Sequence, residues 1–156
     1  MSKLVRKPPP AMEDMVLVAG GEVDEYHIAL RFFGDDLDPD RLTELLGAKP
    51  TSACRKGDLF KGRVSQRVEK QGKWLLAMPE RPGEEFEAQV DALLDGLTSD
   101  LGVWRQLSAK YNGDLFCGAW VRSWNRGMEL SPSLLAKLAE RGLTLGLDIY
   151  VDNDDD

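Results

Sequence analysis

His27 is the only histidine of this 156-residue chain, and two cysteines, Cys54 and Cys117, are its only thiols. From these residue types a nucleophile relay or a zinc centre would be built. A relay needs thiol, imidazole and an orienting carboxylate within hydrogen-bond reach. His27 and Cys117 fall on different strand-like runs, and alternation sends them to opposite sides: Cys117 joins Ala119 and Val121 toward a core, and His27 points away. One histidine with two scattered cysteines, without CxxC spacing, is also a poor zinc set. No catalytic residue, metal centre or cofactor is expected from them.

Two charged clusters have other chemistry. Asp35, Asp36, Asp38 and Asp40 offer the oxygen ligands a hard cation takes. The same acids suit a polar turn leading into a helix, with Asp38 as N-cap and negative charge at the positive end of the helix dipole. Arg55-Lys56-Gly57-Asp58 has cations for an anion, but it lacks the glycine spacing and following Lys-Ser/Thr of a phosphate loop. It is expected to be a polar connection. The acids Asp152, Asp154, Asp155 and Asp156 superficially resemble a calcium loop without its glycine and distal glutamate. A solvated tail is expected there.

A third set is aromatic. If Cys117, Ala119, Val121 and Ser123 lie under helices, Phe116, Trp120, Arg122 and Trp124 project from the opposite sheet face. His27, Arg31 and Phe33 join them from the first strand, and Asp148 and Tyr150 from the last. Trp, Tyr and Arg together are the composition of interface hot spots, and their planes also stack ligand rings or bases. The candidate binding residues are therefore His27, Arg31, Phe33, Trp120, Arg122, Trp124 and Tyr150.

The elements that must position this face are legible as patterns. Tyr26 to Phe33 alternates as a strand, with Tyr26, Ile28, Leu30 and Phe32 on one side. Asp38-Pro39 starts a helix with stripe Leu42, Leu45 and Leu46, and Gly47 ends it. Gly47 to Gly62 reads as a loop. Arg63 to Lys70 and Lys73 to Met78 read as a hairpin across Gln71-Gly72. Phe86, Val90, Leu93, Leu94 and Leu97 fall at helical spacing, and Thr98-Ser99-Asp100 caps a second helix striped by Leu101, Trp104, Leu107 and Tyr111. Asn112-Gly113 closes that helix, and Phe116 to Trp124 is a strand. Ser131-Pro132 repeats the Asp38-Pro39 start, and Gly142 repeats the stop. Leu143 to Val151 alternates strongly, its odd-numbered leucine, isoleucine and valine residues on one side.

The order β-α-β-β-α-α-β-α-β predicts an α+β domain with a mostly antiparallel sheet and helices packed on one face, on a ferredoxin-like (split βαβ) plan extended by a C-terminal helix and strand. The expected organisation is a flexible tail over 1–24, with an edge strand at Met15 to Ala19, a single domain over 25–151, and an acidic tail over 152–156.

The phrase YHIALRFFGDDLDPDRLTELLGAKP, Tyr26 to Pro50, is similar to the opening of a bacterial domain-of-unknown-function family, the one numbered 4279. The resemblance continues through Lys56-Gly57-Asp58, Trp74-Leu75-Leu76, the paired helices, Leu130-Ser131-Pro132 and Asp148-Ile149-Tyr150. It covers about Tyr26 to Val151 and implies a small soluble α+β domain. It carries no established catalytic residues, so it transfers none.

The formal charge of −7 disfavours a general nucleic-acid binder and is compatible with a basic partner. The longest apolar run, Met15 to Ala19, is far too short to span a bilayer, and no signal segment follows the basic start. Free thiols and these absences point to the cytoplasm. The expected function is a non-enzymatic protein-binding domain, immunity-like in neutralising a basic partner. The alternatives are a homodimer packed through its open sheets, or a small enzyme or ligand-binding protein.

Overall fold

The computed structural model describes residues 21–151, so the expected Met15 to Ala19 strand and the acidic end over 152–156 lie outside the described residues. Seven strands and four helices are present among them: β1 (Glu25–Gly34), α1 (Pro39–Leu46), β2 (Ser52–Cys54), β3 (Leu59–Lys61), β4 (Gln66–Val68), β5 (Gly72–Ala77), α2 (Phe86–Asp95), α3 (Leu101–Lys110), β6 (Asn112–Val121), α4 (Pro132–Glu140) and β7 (Thr144–Val151). The five-stranded sheet has the order β2-β5-β1-β6-β7, and β3 and β4 form a separate two-stranded sheet. Every pair in the large sheet is antiparallel except β6–β7.

Local chemistry accounts for the helices. The Asp38 carboxylate accepts from the Asp40 and Arg41 N–H groups, Pro39 fills the first turn, and Gly47 takes the left-handed conformation at φ 75° that ends α1. Ser131 caps α4 by accepting from Leu134 N–H, again with proline in the first turn. Asp100 caps α3 through Gly102 N–H, in the Thr98-Ser99-Asp100 break.

The helices and one face of the sheet enclose a single core. Ile28, Leu30 and Phe32 of β1 and Leu115 and Cys117 of β6 meet Leu42 and Leu46 of α1, Val90, Leu93 and Leu94 of α2, Trp104 and Leu107 of α3, and Leu134 and Leu138 of α4. Trp74 is fully buried and donates its indole N–H to Thr43 Oγ1 at 3.1 Å. Trp104 donates to the Thr98 carbonyl at 2.8 Å. Both polar tips are thus satisfied inside the core.

The fold is the mixed, mostly antiparallel one that the patterns predict, but several details differ. The split βαβ plan is not shown: β1 lies between two antiparallel neighbours, and the one parallel pair, β6–β7, is adjacent and joined directly by α4. The hairpin across Gln71-Gly72 is absent. β4 pairs with β3 around a turn at Gly62, whose N–H donates to the Ser65 carbonyl, while β5 pairs with β1 and β2. The expected loop over 47–62 thus holds β2 and β3. β6 begins at Asn112 immediately after α3, so Asn112-Gly113 opens a strand instead of closing a helix, and the strand stops at Val121. Residues 22–24 are tied to the end of β6 and the loop beyond it, with Val23 N–H donating to the Gly127 carbonyl and Asp24 N–H to that of Trp120.

Candidate functional site: the open sheet face

All four helices pack on one side, so the strand residues facing the other side carry the molecule's exposed chemistry. Alternation along β1 puts His27, Arg31 and Phe33 there, and the register aligns them with β6: Glu25 opposite Trp120, His27 opposite Gly118, Arg31 opposite Asp114. Trp120 lies in turn opposite Tyr150 of β7.

Two rows result. In the first, the rings of His27 and Trp120 lie 4.5 Å apart, and Trp120 stacks on Tyr150 at 4.5 Å with an interplanar angle of 21°. Gly118 makes room for this row: a Cβ there would come within 2.9 Å of the Trp120 ring. The Tyr150 hydroxyl donates to Asp148 at 2.6 Å, which pushes the phenol up from its ordinary value. In the second row, Arg31 donates twice to Asp114, Nε at 2.8 Å and Nη2 at 2.6 Å. Its guanidinium lies 4.3 Å from the Phe116 ring centre and 5.2 Å from that of Phe33. A forked pair stacked between rings holds the guanidinium in one plane.

At the rim, Glu25 is held from two sides. His27 Nε2 lies 2.6 Å from its Oε1, and Arg122 Nη2 donates to its Oε2 at 2.8 Å. The His27 hydrogen bond first, then that from Arg122, holds its carboxyl below the ordinary range, and an ionised carboxylate only accepts, so Nε2 carries the proton. At the opposite end, the β3–β4 hairpin forms a cavity of about 280 Å³ with the sheet, lined by Phe33, Lys73 and Leu75 of the face and Phe60, Arg67 and Glu69 of the hairpin segment. Glu69, 7% exposed, accepts from Lys73 at 2.7 Å and Arg67 at 3.3 Å.

Of the seven residues picked from sequence, the structure places five, His27, Arg31, Phe33, Trp120 and Tyr150, on this face, with Arg122 at its rim. Trp124 is separate: it lies beyond the end of β6 and is 66% exposed. Glu25, Asp114 and Gly118 were missed. Glu25 had a signal, standing two residues before His27 on the same strand; Asp114 had none, because β6 starts earlier than its pattern.

The other candidates resolve differently. Arg55 pairs with Asp38 at 2.8 Å and Asp40 at 2.9 Å, and Lys56 with Asp35 at 2.8 Å, so the basic phrase pairs with three acids of the cluster. Cys117 is buried under the helices, and its burial pushes the thiol up to about 11. It lies on the face opposite His27, as alternation predicts.

A family model described as a domain of unknown function, DUF4279, matches residues 24–152, which is most of the chain and all of the large sheet. The chain belongs to the DUF4279 family. No curated protein and no solved structure matches it. Among the described residues, no helix is long and apolar enough to cross a membrane.

Proposed function

We propose that this DUF4279 protein is a non-enzymatic protein-binding domain that presents its open sheet face to a partner. The observation that carries this reading is the His27–Trp120–Tyr150 row, three rings in contact across three strands on the side without helices, Trp120 stacked on Tyr150 and tilted against His27. Stacked rings beside a fixed guanidinium give flat, rigid contact area at low entropic cost, as hot-spot residues do. The formal charge of −7 favours a basic partner through long-range attraction, the immunity-like arrangement. Affinity capture with the native chain, followed by titration of the recovered partner, tests this. Replacing Trp120 and Tyr150 by alanine is expected to weaken binding by more than about tenfold. Unchanged affinity in that double variant sinks the proposal.

A second reading, a homodimer, is favoured by β7. This eight-residue strand ends the sheet, and Leu147, Ile149 and Val151 on its helix side are 46%, 63% and 62% exposed. Natural edges are blunted by lysine, proline or shortness; β7 has one charge, Asp148, and no proline. Antiparallel pairing with a second copy about Leu147 sets Ile149 opposite Leu145 and Asp148 opposite Gly146, so the two Asp148 carboxylates do not face each other. This is edge-to-edge pairing, not the face-to-face packing expected from sequence. Light scattering distinguishes the two readings: a dimer abolished by Ile149→Lys supports it, and a monomer at high concentration removes it.

A further inference from the structure

Glu25 and His27 stand two apart on β1, so both side chains lie on the open face. The sheet brings a third donor to them. β5 runs antiparallel to β1, and the pairing continues past its end, with Met78 N–H donating to the Ile28 carbonyl at 2.8 Å. Two residues further on comes Glu80. One ligand atom from each of Glu25, His27 and Glu80 lies within 4.8 Å of the other two.

We propose that Glu25, His27 and Glu80 bind a divalent transition cation of the zinc class. One imidazole nitrogen with two carboxylates is a donor set for a borderline ion; calcium and magnesium favour oxygen throughout. The two carboxylates offset the charge of the ion in part, Arg122 holding the outer oxygen of Glu25, and small rotations of the three side chains bring their donors onto it. A cation between His27 Nε2 and Glu25 Oε1 takes the place of their 2.6 Å contact. Three protein ligands leave a fourth position. Glu25 and Glu80 also line a cavity of about 270 Å³ with Tyr26, Arg81 and Arg122.

Two outer contacts separate this cluster from an ordinary exposed group of acids. Trp120 lies against the imidazole, and Arg122 engages Glu25 Oε2, leaving Oε1 toward His27. Contacts of this kind orient ligands before the ion arrives. The Asp35–Asp40 cluster has no imidazole, and Arg55 and Lys56 pair with three of its four carboxylates.

Calorimetric titration of the full chain with zinc chloride, and of the same chain with cobalt(II), provides the test. One zinc ion per chain is expected, with cobalt quenching Trp120 emission through the adjacent imidazole. His27→Gln and Glu80→Gln should each weaken binding by more than about tenfold while circular dichroism stays native. Glu80 is exposed, so its variant carries the test if the histidine variant misfolds. Cys54→Ser should change nothing. The absence of saturable zinc binding, full binding by Glu80→Gln, or loss in Cys54→Ser instead overturns the site. No partner enters these titrations, so their outcome is independent of the open-face reading, and loss of partner binding leaves the metal site standing.

Discussion

At the scale of single residues, burial separates core side chains from those of the open face. Leu30 is fully buried at the centre of β1, among helices that cannot all collapse onto a vacated volume. Leu30→Ala should therefore cost about 2–5 kcal/mol, read as a lower urea midpoint. Gly118 offers the contrast. Alanine there meets the far end of the Trp120 ring at 2.9 Å and the Tyr150 ring at 3.6 Å, side-chain atoms that move more easily than backbone. Gly118→Ala should shift tryptophan emission while lowering the urea midpoint much less than Leu30→Ala. The same distinction governs the thiols. Cys117 is buried and Cys54 half-buried, so a thiol reagent on the native protein should label Cys54 first and Cys117 only on unfolding, as intact-mass spectrometry will record.

At the scale of elements, what is decided within four or five residues was legible and what depends on a distant partner was not. The Asp38-Pro39 and Ser131-Pro132 starts are short-range hydrogen bonds and appear as read. Asp38→Ala should cost about 0.5–2 kcal/mol, and Asp38→Asn less, because asparagine keeps the cap while losing the Arg55 pair. Comparing the two thermal midpoints checks this order. Strand pairing went differently. Arg63 to Lys70 reads as a strand beside Lys73 to Met78, yet it turns back at Gly62–Ser65 to meet Leu59 to Lys61. Alternation names a strand's faces but not its neighbour. The same limit applies to β7: its apolar side is evident, but only the sheet order reveals it as an edge whose far half the helices leave exposed.

At the scale of the whole molecule, paired charges set the response to acid. Glu69 is held below its ordinary 4.5 chiefly by Lys73, Asp24 below 3.8 chiefly by the Arg122 N–H, and Glu25 by His27 and Arg122. A carboxyl lowered on folding stabilises fully above its unfolded value and loses that contribution as pH falls through the folded one. Lys56 and Lys137 are raised by Asp35 and Asp91, so their contribution is complete below the ordinary lysine value and is lost as pH climbs through the raised one. Urea midpoints should be flat between about pH 5 and about pH 10 and fall on both sides, with the acid limb shallower in Glu69→Gln.

The sequence by itself determined where the Asp38, Asp100 and Ser131 helices start, which face of each long strand is apolar, and that His27 and Cys117 lie on opposite sides of the sheet. Those properties follow from chain geometry and local hydrogen bonds. Only the tertiary structure decided that Trp120 lies between His27 and Tyr150, that Arg31 meets Asp114, and that Glu80 arrives beside Glu25. These contacts join residues far apart in the chain, so they depend on strand order and register, which are set by packing the whole core at once.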